Sequence, residues 1–190
     1  FGSKRREAKL IVDMIAERRG TRGHYVEPFV GGGSVLLKAL ERLSWSKVMA
    51  SDSLTPLVHW WQAASDHPEW LIDATAEILA TPNLKRHYLD VLRNVSDPYA
   101  NVFWAIIKCS WRGILRGRAN GALGGPWGGD PSPLPSLDEV RSVSRLIRNV
   151  TFHCAPWEKT LDLAAPANAV VYLDPPYAPK GGFVEYGGQK

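Results

Sequence analysis

The chain has 190 residues, of which 45% are hydrophobic, 22% charged and 10% aromatic; this fits one globular domain with an inserted subdomain and is too little for two large ones. Those proportions exclude a coiled coil, a collagen-like chain and a wholly disordered protein. The net charge of +4 is modest but unevenly spread: from Lys85 to Arg148 ten Lys or Arg stand against five Asp or Glu, and no acid interrupts Lys108, Arg112, Arg116 and Arg118, a distribution suited to an anionic partner.

The chain opens at Phe1 with no signal-peptide pattern, because Lys4, Arg5 and Arg6 lead into mixed-charge residues and not into an apolar stretch; the start reads as a trimmed end. Lys4 to Arg19 carries Leu10, Ile11, Met14 and Ile15 at helical spacing and stops at Gly20, which predicts a first helix. Tyr25, Val26, Pro28, Phe29 and Val30 then run extended into Gly31, Gly32 and Gly33, and Ser34 is placed to cap a second helix through Val35, Leu36, Leu37, Ala39 and Leu40. Lys47 to Ala50 predicts a second strand reaching Ser51 and Asp52, and a further helix begins at Thr55 and Pro56. From about Asp66 to Ile147 the pattern is helical with scattered aromatics, broken by a Gly- and Pro-rich stretch, Gly121 to Ser136, without a period. Val150 to Cys154 and Ala169 to Leu173 read as two more buried strands. The order is strand, glycine turn, helix, strand, then a helical insert, then two strands.

No apolar run approaches the roughly 20 residues that cross a bilayer, and stretches such as Val26 to Val30 and Ala167 to Leu173 are strand-sized. Cys109 and Cys154 are far apart, so a disulfide framework is disfavoured; two buried thiols and a reducing, cytoplasmic location are expected. The five His lack metal-ligand spacing, no metal site is expected, and the eight Trp are expected mostly in the core.

A glycine turn between strand and helix lets a ligand approach bare backbone where unpaired N–H groups point, which suits nucleotides. Asp52 stands nineteen positions after Gly33, near the spacing of about 20 at which a carboxylate accepts ribose hydroxyls. A dinucleotide fingerprint is disfavoured because its third glycine would fall at Leu36, and no Gly-Lys-Ser or Gly-Lys-Thr follows to make a P-loop. Taken alone, these residues fit equally a tight structural turn and a solvent-facing Asp.

Asp174-Pro175-Pro176-Tyr177 is the most specific local signal. A strand delivers a carboxylate, two rigid prolines and an aromatic ring to the carboxyl edge of a sheet, where open α/β folds bind ligands. An amine on an aromatic base is a poor nucleophile because its lone pair is delocalised. Asp174 and the Pro175 carbonyl can accept its two hydrogens while Tyr177 stacks on the base. The plainer reading is a rigid strand-ending turn.

The combination resembles the Dam-type S-adenosylmethionine-dependent DNA adenine-N6 methyltransferases. The resemblance covers essentially the whole chain: Phe1-Gly2-Ser3-Lys4 is similar to the family's opening element, Tyr25-Val26-Glu27-Pro28-Phe29-Val30-Gly31-Gly32-Gly33-Ser34 to its cofactor motif, and Asp174-Pro175-Pro176-Tyr177 to its catalytic motif. It implies an α/β fold, a Rossmann-like methyltransferase sheet truncated at its C-terminal side, with a mostly helical DNA-recognition insert. Residues 1–65 would be the cofactor-binding part, 66–148 the target-recognition insert and 149–190 the catalytic part. Phe1, Lys4, Glu27, Phe29, Gly31, Gly32, Gly33, Ser34 and Asp174 would hold the cofactor, with Asp52 on its ribose and Trp157 against its adenine. Pro156 departs from the acidic residue many relatives place there, which implies weaker cofactor binding.

Cys109-Ser110-Trp111-Arg112-Gly113-Ile114-Leu115-Arg116, Asn120-Gly121 and Pro126-Trp127-Gly128 resemble the DNA-recognition stretch, so Lys108, Trp111, Arg112, Arg116, Arg118 and Asn120 are the candidate DNA contacts. Arg112, Arg118 and Gly124 replace asparagines of relatives, so no recognition sequence is carried over. Arg can read guanine edges or clamp phosphates, and Trp can wedge or stack, although the same residues fit a solvated face over an aromatic core.

The resemblance implies methylation of a flipped adenine in double-stranded DNA by a monomeric bacterial or phage-encoded enzyme, in a restriction-modification or related setting. Asp at the head of the catalytic motif favours adenine over cytosine. The family sheet continues beyond this turn, so four strands in the order three, two, one, four are expected, with the strand ending at Leu173 at an open edge. A fragment, or a partner that completes the fold, would account for that. The competing readings are a catalytically silent DNA-binding module and a methyltransferase acting on a cytosine amine or on RNA.

Overall fold

The computed structural model describes residues 4–19, 23–117, 121–164 and 169–175. They form two compact units: Leu54–Ser144, and the described residues of Gly2–Ser53 with those of Arg145–Val184.

The second unit is the sheet. Its strands are β1 (His24–Glu27), β2 (Lys47–Asp52), β5 (Val150–Cys154) and β6 (Ala169–Val171), with α1 (Ala8–Arg19), α2 (Ser34–Arg42) and α8 (Trp157–Ala164) around them. All pairings in this sheet are parallel in the order β5-β2-β1-β6, the order the resemblance implies, and β6 is an edge strand among the described residues. Parallel strands buried on both faces read as continuous apolar runs, which is why Val48 to Ala50 was legible. The register sets Glu27 beside Ala50, Ala50 beside Phe152 and Asp52 beside Cys154. Because side chains alternate, Tyr25, Glu27, Val48, Ala50, Asp52, Phe152 and Cys154 share one face; Val26 and Met49 lie on the other with Ala169 packed against them.

The first unit holds α3 (Thr55–Asp66), α4 (Pro68–Leu79), α5 (Leu84–Asp90), α6 (Ala100–Cys109), a two-stranded antiparallel ribbon of β3 (Arg116–Gly117) and β4 (Leu123–Gly124), and most of α7 (Leu137–Ile147). Helix α3, placed before the insert in the sequence reading, clusters with the insert's helices because Trp60 meets Trp104 of α6 edge-on, centroids 5.5 Å apart. A capping box starts α7: the Ser136 N–H donates to Glu139 Oε2 at 2.7 Å, and the Glu139 N–H donates to Ser136 Oγ at 3.3 Å.

Several local expectations are corrected. The first helix begins at Ala8, because Arg5 to Glu7 form a turn, and β1 ends at Glu27, where Pro28 and Phe29 turn. Gly33, in the left-handed region at φ 66°, occupies the cap position of α2, so Ser34 is the first helical residue and not the cap. Cys109 is buried as expected, but Cys154 is exposed because it ends its strand at the sheet's rim; neither forms a disulfide. Trp61 and Trp104 are core residues, whereas Trp70, Trp111 and Trp157 are exposed.

The Gly-rich loop after β4 is packed against the end of α6. A Cβ on Gly125 would lie 2.3 Å from the Ile114 carbonyl oxygen, and one on Gly128 would lie 2.9 Å from Ser110 and Trp111 backbone atoms. We predict that Gly125→Ala destabilises the protein by about 1–3 kcal/mol in urea denaturation, as overpacking against rigid backbone does. Gly32→Ala, with no atom within 4 Å of its Cβ position, should be close to neutral in the same measurement.

Candidate active site

The carboxyl ends of β1 and β2 are tied together by the glycine turn. The Val30 N–H donates to the Ser51 carbonyl at 2.9 Å and the Gly33 N–H to the Val30 carbonyl at 2.7 Å. The Gly31 N–H donates to Asp52 Oδ2 at 3.1 Å. Beneath the turn, buried Ser51 donates to the Pro28 carbonyl at 3.3 Å and shares a 2.6 Å hydrogen bond with the Thr160 hydroxyl of α8. Gly31 and Gly33 adopt φ of 46° and 66°, a region where a Cβ is strained. Gly32, between them, is exposed.

Glu27, the last residue of β1, is 2% exposed. Its carboxylate accepts the Tyr25 hydroxyl at 2.7 Å. Burial is the main cause that pushes its carboxyl up to about 8; the Asp174 charge adds to the rise and the Tyr25 hydrogen bond opposes it. Burial, with Glu27 beside it, also drives the Tyr25 hydroxyl far above the usual phenol range. The Tyr25 ring lies against Trp45 with centroids 5.0 Å apart, and Trp45 Nε1 donates to the Ala39 carbonyl at 3.1 Å.

Beyond β6 the Tyr172 N–H still donates to the Val26 carbonyl at 2.9 Å, which carries the chain forward to Asp174 and Pro175. Asp174 Oδ1 is 3.3 Å from Lys4 Nζ, each side chain less than a third exposed. Lys4, Glu27, Asp52 and Asp174 are thus held on one unit: three carboxyls and one ammonium, an excess of acid suited to a cation. Trp157, at the start of α8, exposes 42% of its surface, and the Ala155 N–H donates to the Asp52 carbonyl at 3.2 Å, so the chain entering α8 is fixed to the end of β2. Phe29 is half-buried.

The predicted DNA contacts lie in the other unit. Trp111 and Arg112 form an exposed tip, with the guanidinium carbon 4.7 Å from the Trp111 ring centroid and Arg112 at φ 54°. That tip is fastened to the Gly-Pro-Trp-Gly loop: the Trp111 N–H donates to the Pro126 carbonyl at 2.9 Å and the Gly128 N–H to the Cys109 carbonyl at 2.8 Å. Buried Tyr88 joins Ser110 Oγ and the Gly125 carbonyl, each at 2.9 Å. Arg116 is exposed on β3. Lys108 is engaged internally, donating to the Pro133 carbonyl at 2.8 Å and Ser132 Oγ at 3.3 Å, and burial lowers its ammonium from the usual range. Phe1, Arg118, Asn120, Pro176 and Tyr177 lie outside the described residues.

Sequence reasoning missed Tyr25, Ser51 and Thr160 as parts of the site. A tyrosine two residues before an acid in an otherwise apolar strand was the available signal, since i and i+2 share a face. Ser51 and Thr160 carried none. Among the described residues no group of three His, Cys, Asp or Glu is placed to hold a metal ion, and no helix is long and apolar enough to cross a membrane.

The family model described as D12 class N6 adenine-specific DNA methyltransferase matches residues 1–189. The chain belongs to this family. Similar proteins include the type II methyltransferase M.MjaIII of Methanocaldococcus jannaschii, 29% identical over 178 residues, covering 85% of this chain and 61% of that protein. The DNA adenine methylase of Vibrio cholerae is 26% identical over 187 residues (94% of this chain, 66% of the methylase), and that of Serratia marcescens 27% over 175 residues (89% and 63%). The chain therefore spans a little under two thirds of the length of these methyltransferases. A family of methyltransferases implies a methyl donor, and the acid-rich rim is the part of the sheet whose charge suits one that is cationic.

Glu27 fixes the sign of a pH effect on stability. Its carboxyl is raised in the folded protein, so between the unfolded value near 4.5 and about 8 the folded state holds a proton that the unfolded state has released. Stability should therefore fall as pH rises through that window and level off above it. Glu27→Gln should remove most of this slope in thermal melts across the window and be at least as stable as the parent at its upper end.

Proposed function

We propose that this D12 family member transfers a methyl group from S-adenosylmethionine to the exocyclic amine of an adenine extruded from double-stranded DNA. The observation that carries the reading is the gathering of Glu27, Asp52 and Asp174, with Lys4, about a glycine turn at the carboxyl edge of a parallel sheet.

The residues present fit that cofactor. Glu27 offers a buried carboxyl for a cationic amino group, Lys4 an ammonium for a carboxylate, and Asp52 a carboxylate at the end of β2 for ribose hydroxyls. Gly32 leaves open space where a side chain would intrude, and Trp157 presents a flat ring. Bound there, S-adenosylmethionine would supply an electrophilic methyl carbon on a sulfonium.

The chain's own residues handle the acceptor. Asp174 accepts one hydrogen of the adenine amine and the Pro175 carbonyl the other, which favours a pyramidal nitrogen with its lone pair available. Tyr177 stacks on the extruded base. Extrusion is required because the amine is otherwise paired inside the duplex. Trp111 contributes stacking or wedging, and Arg112 and Arg116 bind phosphates or base edges. Arg118 and Asn120 are assigned to the same surface on sequence alone, while Lys108 acts there chiefly by anchoring the loop at Ser132 and Pro133.

Incubation with labelled cofactor and unmodified genomic DNA, followed by nucleoside analysis, should yield N6-methyladenine; a labelled cytosine, or no transfer to DNA, defeats the reading. Asp174→Ala should abolish turnover, a loss of at least about a thousandfold, with cofactor affinity changed only a few-fold; equal loss of both would overturn the division of roles. Arg112→Ala and Arg116→Ala should each weaken DNA binding and lower the slope of log affinity against log salt by about 1 in fluorescence titrations.

A further inference from the structure

We propose that Tyr25 is a positioning residue of the cofactor site, and that Glu27 takes up a proton when the site is empty and releases it when a cationic cofactor binds. The inference rests on the assignment of this site to S-adenosylmethionine.

Tyr25 is fully buried, yet nothing about packing calls for a hydroxyl: phenylalanine would fill the same space against Trp45. What the hydroxyl does is donate to Glu27 Oε2 from two residues back on the same strand face. One oxygen of the carboxyl is thereby fixed from its own strand. With one neutral donor among the described residues, a buried carboxylate is poorly compensated, since desolvation of a charge is costly and one hydrogen bond offsets only part of it.

The groups facing Glu27 do not supply the missing cation. From its own strand comes the Tyr25 hydroxyl. On the β6 side stand Tyr172, a phenol that faces Tyr25, and Asp174, a like charge. Lys4 is the nearby cation, and its ammonium is placed on Asp174 at 3.3 Å. On the β2 side the neighbour in register is Ala50, and Asp52, two residues on, accepts the Gly31 N–H. Among the described residues no cation pairs with Glu27. Proton uptake relieves the strain in the free protein, in line with a carboxyl raised to about 8. An α-ammonium or sulfonium beside the carboxyl removes the reason for the proton and expels it. Tyr25 sets the ease of that exchange, because its hydrogen bond favours the ionised form and holds the carboxyl's orientation in both states.

The experiment is calorimetric titration of the protein with S-adenosylmethionine near neutral pH in two buffers of different ionisation enthalpy. The wild type should release about one proton more per cofactor bound than Glu27→Gln. Tyr25→Phe should bind about tenfold more weakly near neutral pH, corresponding to a shift of about one pKa unit, and the deficit should shrink to about twofold two pH units higher. A purely structural defect would persist at both pH values. Glutamate labelled at its carboxyl carbon reports the same proton in the wild type by NMR, with and without cofactor, should a variant fail to fold. Cofactor that binds without proton release beyond that of Glu27→Gln, or a Tyr25→Phe deficit independent of pH, overturns the inference and leaves the cofactor assignment standing. Failure of the wild type to bind the cofactor overturns both.

Discussion

Strand register at the centre of the sheet governs the chemistry at its edge. Two-residue periodicity sends Glu27, Asp52 and Cys154 to the same face only because β1, β2 and β5 are parallel and paired Glu27 to Ala50 and Asp52 to Cys154. A slip of one residue between β1 and β2 would set Glu27 and Asp52 on opposite faces and separate the acids, and the same slip between β2 and β5 would turn Cys154 away from them. Tyr25 is caught by the same constraint: it shares its face with Glu27, so a buried acid and the hydroxyl that steadies it arrive together. Asp174 completes the group from β6, whose hydrogen bonding to β1 continues through Tyr172 and limits how far the following residues can stray.

Acids brought together in this way repel one another and lose solvation, so the fold needs local compensation. It is distributed by position. Asp52 receives a backbone N–H from Gly31, Asp174 receives the Lys4 ammonium, and among the described residues Glu27 receives a neutral phenol and no cation. The three are therefore unequal in their appetite for a cation, and the most buried is the least satisfied. Partly exposed pairs such as Lys4 with Asp174 contribute little to stability, since solvent screens them, so that contact is better understood as orienting Asp174 than as holding the unit together. Stability of the rim comes instead from buried neutral bonds, the Ser51 hydroxyl to Thr160 and to Pro28, which fasten the glycine turn and α8 to the end of β2.

Much of this was legible in the sequence, for physical reasons that differ by element. Strand β2 announced itself because Val48 to Ala50 is an uninterrupted apolar run, as a parallel strand buried on both sides requires; β5 has the bounds read for it but not the expected burial, since it ends the sheet order among the described residues and of its five residues Phe152 alone is buried, and the strand order was implied by the resemblance. The glycine turn was legible because left-handed φ at Gly31 and Gly33 leaves few alternatives. Glu27 entered the candidate list through resemblance alone: nothing in a single acid at a strand end says whether it is buried. Tyr25 was read as a strand former and as the head of the motif stretch, without a role of its own, because hydrogen bonds of side chains depend on rotamers that spacing does not encode. Cys154 was misread for the converse reason, since a free thiol is usually buried and only the position of the last strand residue at the rim exposes it.

The insert shows why composition alone could not separate a recognition surface from a solvated face. Trp111 and Arg112 are exposed, as either reading requires, but the backbone around them is not that of a casual surface. Arg112 holds a left-handed conformation that a non-glycine residue adopts only when its surroundings enforce it. The enforcement is visible: Gly125 and Gly128 press backbone to backbone against Ile114 and Ser110, and Tyr88 closes three polar atoms into one buried knot. Gly124 makes a further close approach, since a Cβ there would lie 2.7 Å from that of Arg93. A tip fixed from beneath loses less conformational freedom when it meets a partner than a flexible loop would, and that saving reaches the affinity directly. The strain at Arg112 is thus better explained by the need to hold an aromatic ring and a guanidinium in one stacked arrangement than by packing, because neither side chain is buried by it.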